Sequence, residues 1–271
     1  MKSSKKLVAV LMAVVALGAL SGAAFAKNRL ERVLEAGKIV LCTEPYFAPY
    51  EYIDNTREGQ AQYRGSDIEL AKFIADRMGV ELEIVPLTWD ALLAGITQGK
   101  YDIAISGMSY TPLRARSLEM SKGYKPGADQ GIMVRKEDAD KYKTWDDFDG
   151  KTVAYHSGTL QEQLVNLNLP KVKKAVFSSV QDAVLAVDSG KVDAVAVAVP
   201  NGQMFVASHP ALEVLPLLFH QDVSGICVAA QKGDVELIAR INEIIDEVLE
   251  KDLYTKWMEE AAAEAEKLGI K

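Results

Sequence analysis

"AGITQGKYDIAISG", residues 94–107, decides the fold. Its first half continues "WDALLAGITQG", whose apolar residues recur at helical spacing. Gly99-Lys100 ends that pattern, and "YDIAIS" is an apolar run of strand length. A helix handed to a strand through a glycine turn is the unit of an α/β fold. The same order returns without gaps at 185–198, "LAVDSGKVDAVAVA". Gly190, Lys191 and Asp193 stand there where Gly99, Lys100 and Asp102 stand in the first copy. A G-K-x-D turn is common by itself at helix-to-strand junctions. The matching helix and strand on its two sides favour two similar α/β lobes. In open α/β sheets ligands lie beyond the carboxyl ends of the strands. Ser106-Gly107 and Val197-Ala198 are therefore expected at equivalent places, facing one cleft.

Outward from this unit the alternation continues. "KIVLCT", "VELEIVPL", "QGIMVRK", "KTVAYHS" and "KAVFS" read as strands. "DIELAKFIADRM" reads as an amphipathic helix, and 234–268 as two helices rich in Glu and Ala. Its run "EEAAAEAEK" is expected to be a solvated helix face. Residues 1–26 stand apart. Lys2, Lys5 and Lys6 precede the apolar "LVAVLMAVVALGAL", and "SGAAFA" has an A-x-A-like end, so a signal peptide cleaved after Ala26 is expected. Loss of its three lysines takes the net charge from -7 to -10. An acidic exported chain is a poor partner for nucleic acid or an anionic membrane. Cys42 and Cys227 both sit in apolar runs; buried free thiols or a disulfide remain open.

The chemistry follows the first strand directly, in "SGMSYTPLRARSLEMS", residues 106–121. Thr111 is a plausible N-cap and Pro112 suits a first helical position. Arg114 carries a guanidinium fork that matches a carboxylate. Ser109 adds a hydroxyl donor, and Gly107 permits close approach. Together these residues make a receptor for a carboxylate. His156, His209 and His220 are dispersed, and neither a metal-ligand spacing nor a nucleophilic triad is evident, so no metal or cofactor is expected.

The mature chain resembles the periplasmic solute-binding proteins of ABC transporters for polar amino acids, the glutamine-, histidine- and lysine/arginine/ornithine-binding type. The resemblance rests on ordered signposts: "TEPYFAPYEY", "YRGSDIELAKFIADRMG", "QGKYDIAISGMSYTPLRA", "SKGY", "TWDDFDGKTVAYHSGT", "SGKVDAVAVAVPN" and "GICVAAQKGD". It implies an α/β, two-lobed periplasmic binding protein of type II, each lobe a mixed, mainly parallel sheet flanked by helices. Lobe one is expected at 27–123 and 225–271, lobe two at 129–218, and the hinge at 124–128 and 219–224. The implied protein is a monomer that closes on a small-molecule ligand and passes it to an ABC permease in the inner membrane.

Carried over by position, Arg114 clamps the α-carboxylate. The Gly107 carbonyl takes the α-ammonium, and Ser109 touches both ends of the amino-acid core. Thr159, starting a lobe-two helix, joins the carboxylate on closure. Phe47 packs on the ligand side chain, and Glu44, His156, Leu160 and Gln161 line its pocket. Met108 is counted with this group, with packing as its other reading. Two positions depart from the family's pattern: Ala198 stands where an Asp usually pairs with the ammonium, and Ser66 where an aromatic is usual. Either Glu44 or Asp222 replaces the missing acid, or the ligand has no α-ammonium. Two rivals use the same scaffold. A cyclohexadienyl dehydratase needs a carboxylic acid where this chain has Gln161. A sensing module is usually fused to a membrane helix, and no apolar segment of spanning character follows residue 26.

Overall fold

The computed structural model describes residues 27–220 and 225–270; the expected signal peptide and Asp222 lie outside them. The first lobe opens with helix α1 (Arg29–Ala36) and strand β1 (Lys38–Thr43). A small antiparallel sheet follows, from β2 (Tyr46–Phe47), β3 (Glu51–Ile53) and β4 (Tyr63–Arg64). Then come α2 (Ser66–Met78), β5 (Glu81–Pro86), α3 (Trp89–Thr97), β6 (Ile103–Ala104), α4 (Pro112–Ser117) and β7 (Leu118–Met120). The second lobe holds β8 (Gln130–Arg135), β9 (Thr152–His156), α5 (Leu160–Asn168), β10 (Lys173–Phe177), α6 (Val180–Asp188), β11 (Ala194–Ala198), α7 (Val199–Ser208) and β12 (Leu212–Leu218). The chain then returns to lobe one through β13 (Ala229–Gln231), α8 (Val235–Glu250) and α9 (Leu253–Leu268).

The two main sheets have orders β5-β1-β6-β13-β7 and β10-β9-β11-β8-β12. In each, the first three strands are parallel and the fourth runs against the third. The sequence echo is thereby explained: β6 and β11 are the central strands of matching sheets. Their turns are held alike. Gly99 and Gly190 take φ of +69° and +72°, a left-handed conformation that glycine adopts without steric cost. Asp102 accepts the Val40 N–H at 2.9 Å, and Asp193 accepts the Thr152 N–H at 2.7 Å, so each turn is tied to the neighbouring strand. An arginine clasps each turn: Arg29 donates to the Gly99 carbonyl, and Arg135 to those of Val187 and Val192. Asp193→Ala leaves the Thr152 N–H unpaired and is expected to cost about 1–2 kcal/mol, read from urea unfolding.

The crossings between the lobes pair with each other. Ile226 N–H donates to the Lys125 carbonyl and Tyr124 N–H to the Ile226 carbonyl, both at 2.9 Å. Both bonds lie beside the crossings expected at 124–128 and 219–224. Cys42 and Cys227 are separate buried thiols rather than a disulfide. The "EEAAAEAEK" run is more than a solvated face. Ala261 and Ala265 pack against Tyr52, and Glu264 accepts from Tyr52 and Arg64.

Candidate functional site

A cleft with about 930 Å³ of empty space, its open mouth included, separates the lobes beyond the carboxyl ends of β6 and β11. Nine of the ten expected site residues line it. Met108 does not. Its fully buried side chain packs with Cys42, Leu92, Leu118 and Ala229 beneath the cleft, so its role is packing. Gly107 turns the backbone there, and the next side chain faces the core.

On lobe one, Thr111 is the N-cap of α4, with Pro112 just inside the helix. The Thr111 hydroxyl accepts the Arg114 N–H and Pro112 has none, so little of this short helix start is left for a ligand. The anion-seeking group of this stretch is therefore the guanidinium. Arg114 is 7% exposed and donates to the Ser109 carbonyl at 2.8 Å and, across the cleft, to the Gly158 carbonyl at 3.2 Å. It lies 5.2 Å from the Trp89 ring centroid. Burial lowers its pKa to about 10, and among the described residues no carboxylate pairs with it. A buried guanidinium with only carbonyl partners and a ring face is poised for an anion.

Phe47 stacks on Tyr50 at 5.3 Å and forms the apolar side of the cleft. A Cβ at Gly107 would come within 3.1 Å of Phe47, so the glycine permits this close floor. Glu44 accepts the Trp89 N–H at 3.2 Å, and burial raises its pKa to about 7. A ¹³C-detected titration of the free protein is expected to show the Glu44 carboxyl changing with a midpoint near that value. A midpoint below about 5, the ordinary carboxylate range, would contradict it.

Lobe two brings His156 from the end of β9 and Thr159, Leu160 and Gln161 from the start of α5. Burial lowers the His156 pKa, and its Nε2 is buried without a partner. Thr159 caps α5 by accepting the Glu162 N–H and donates to the His156 carbonyl. Gln161 donates to the Gln130 amide oxygen at 2.6 Å. The lobes touch directly: Gln181 donates to the Tyr46 carbonyl at 3.0 Å.

Sequence reading missed Trp89, Tyr50, Gln130, Gln181 and Asn201, which also line the cleft. It also missed a buried cluster beneath the floor. Ser106 donates to Glu51 at 2.9 Å. Asp67 accepts from the Gly107 N–H at 2.7 Å and from the hydroxyls of Tyr124 and Tyr254. Ser66, where an aromatic was expected, shares a hydrogen bond with Tyr254 at 3.0 Å. The small serine leaves room for that tyrosine. Burial and the nearby Asp67 raise Glu51 well above the ordinary range, and burial also raises Asp67. The pair therefore holds one proton, and the donors around Asp67 place it on Glu51. No local pattern marked Glu51: Tyr50, Glu51 and Tyr52 are all buried, although alternation would put Glu51 on the opposite face.

Comparison with known proteins agrees with this architecture. The L-cystine-binding protein TcyJ of Escherichia coli K12 is 26% identical over 253 residues, covering 91% of this chain and 92% of its own. Cyclohexadienyl dehydratase of Pseudomonas aeruginosa is 29% identical, covering 78% of this chain and 77% of its own. An amino acid ABC transporter substrate-binding protein of Streptococcus pneumoniae, bound to L-arginine, superposes with a TM-score of 0.79 and 32% identity, covering 89% of this chain and 99% of the other. The sequence profile of the bacterial extracellular solute-binding proteins, family 3, matches residues 39–260. The two-lobed fold, the cleft at the strand ends and this match over most of the chain place the protein in that family.

Proposed function

We propose that the protein is the extracytoplasmic substrate-binding subunit of an ABC importer. It works as a periplasmic monomer and captures an amino acid or related small carboxylate by closure of lobe one (27–123 and 225–271) on lobe two (129–218). The observation that carries this reading is Arg114, a buried guanidinium without a carboxylate partner, at the junction of both lobes. A ligand carboxylate supplies the missing charge and is reached from lobe two by the α5 start at Thr159. Ligand bound to both lobes favours the closed arrangement by its differential affinity. The permease then reads the closed form.

The dehydratase reading is disfavoured by the same geometry. Gln161 is engaged with Gln130, and the nearby Glu162 accepts the Gly158 N–H at 2.7 Å. Neither presents a carboxylic acid to the cleft. Incubation with prephenate is expected to yield no phenylpyruvate.

The test is a thermal-shift screen of the purified protein with L-amino acids, their 2-oxo and 2-hydroxy analogues and dicarboxylates, followed by small-angle scattering with each hit. A ligand at about 1,000 times its Kd adds about 4 kcal/mol of stability. For a chain this size that raises Tm by roughly 8–16 °C. The radius of gyration is expected to fall on binding. Absence of any shift across the panel would sink the reading.

A further inference from the structure

The cleft wall contributed by lobe two carries no acid among the described residues. It presents Gln130, His156, Gln161, Gln181, Ala198 and Asn201. Helix α7 begins at this wall, and its N-cap, Ala198, has no side chain able to cap it. Val199 N–H is bonded to the Asp129 carbonyl, and Pro200 has no N–H. The first-turn donor left over is the Asn201 N–H, at the positive end of the helix dipole. The Asn201 side chain points to the same place. It is 7% exposed and lines the cleft, and among the described residues it has no hydrogen-bond partner. An amide left unpaired at the cleft wall, beside an uncapped helix start, is an unfilled receptor for an oxygen acceptor.

Both acids that lobe one brings to the cleft are already engaged by its own donors. Glu51 lines the cleft, but its carboxyl is held against Asp67 with Ser106 donating to it, and it keeps its proton. Glu44 accepts the Trp89 N–H, and burial raises its pKa to about 7, so at pH 7.5 it is only partly ionised. The cations are Arg114 and, behind Tyr50, Lys125. A ligand ammonium closed into this cleft would meet a helix N-terminus and amides without a fully ionised acid. Burying an unpaired ammonium costs several kcal/mol.

We propose that the ligand is a carboxylic acid without an amino group: a 2-oxo or 2-hydroxy monocarboxylate with an apolar tail. Its carboxylate sits on Arg114, and its 2-oxygen accepts from Asn201 at the α7 start. Its tail lies on Phe47, Tyr50 and Trp89. The proposal rests on the reading above that Arg114 anchors a carboxylate, and it narrows that ligand to one class.

The experiment is calorimetric titration of matched sets at pH 7.5. One set is L-phenylalanine, phenylpyruvate and L-phenyllactate; a second is L-leucine and 4-methyl-2-oxopentanoate; L-arginine is the cationic comparison. The expected result is that at least one amine-free acid binds, at least tenfold tighter than its amine counterpart. Ala198→Asp, which puts a carboxylate at the α7 start, is expected to weaken that acid at least tenfold and strengthen the amine. Equal or tighter binding of the amine by the wild type overturns the proposal. So does failure of every amine-free acid to bind. In that event, binding of the L-amino acids leaves the Arg114 reading standing, whereas silence from the whole panel removes both. Should Ala198→Asp not fold, the wild-type ratios decide alone.

Discussion

Replacing Arg114 by alanine is expected to lower ligand affinity by about 10²–10⁴-fold and to leave the free protein folded. Charge-assisted hydrogen bonds contribute about 1.5–3 kcal/mol each, and the guanidinium fork can make two to one carboxylate. Each factor of ten in affinity is about 1.4 kcal/mol. The free protein does not depend on this side chain in the same way. Arg114 contacts two carbonyl oxygens and a ring face, with no buried carboxylate relying on it. Removing a buried charge that lacks a counter-charge relieves a desolvation penalty. The Tm of the unliganded variant is therefore expected to match or exceed that of the wild type, while the shift produced by ligand disappears. Calorimetry and thermal unfolding on the same preparation separate the two effects. Affinity within threefold of wild type would refute the anchor role, whatever happens to stability.

The second large effect falls on stability. Asp67→Ala is expected to destabilise the protein by about 3–5 kcal/mol, because it strips the Gly107 N–H and the Tyr124 hydroxyl of their buried acceptor. In a chain of this size that lowers Tm by roughly 10 °C. Its neighbour should behave differently. Glu51 is buried as the neutral acid, accepting from Ser106 and facing Asp67. A glutamine keeps both an acceptor for Ser106 and a donor for Asp67, so Glu51→Gln is expected to cost less than about 1 kcal/mol at pH 7.

The pH dependence has a definite sign. The folded state holds the Glu51 proton above the pH, about 4.3, at which an unfolded glutamate releases it. In that window the native state binds more protons than the unfolded state, so stability falls as pH rises toward the folded pKa. Glu51→Gln removes its share of this slope; the remainder comes from the other raised carboxyls, Glu44 and Asp67. Urea unfolding of both proteins from pH 5 to pH 9 reads it directly. A Glu51→Gln loss as large as that of Asp67→Ala would show that the proton had been assigned to the wrong carboxyl.

What was legible in the sequence is what short-range physics controls. The G-K-x-D turns read correctly because a glycine that accepts a left-handed φ and an aspartate that reaches an adjacent strand act within a few residues of each other. They do the same in both lobes. The Thr111 cap and Pro112 start read correctly because capping spans three residues. Arg114 drew notice only together with its neighbours: alone, an arginine in a first helical turn is more often a surface residue, but Gly107, Ser109 and the Thr111 cap beside it point to an anion. From these units the two-lobed α/β fold followed, and so did most of the cleft.

Tertiary structure decided the rest. Tyr254 reaches Asp67 from 187 residues away, and Glu264 reaches Tyr52 from 212 away. No local pattern carries such pairings, because burial depends on which distant element covers a residue. Hence Glu51 became a neutral, buried acid rather than a surface charge, and Ser66 a partner of Tyr254 rather than a defect in a motif. Met108 and Asn201 make the same point in opposite directions. Met108 lies between two cleft-lining residues, Gly107 and Ser109, yet turns into the core. Asn201 drew no notice in sequence, yet stands in the cleft wall with its amide unpaired. The sequence by itself marked Arg114 and the residues around it; only the packing of the two lobes decided which acids are buried and which donors are left open at the cleft.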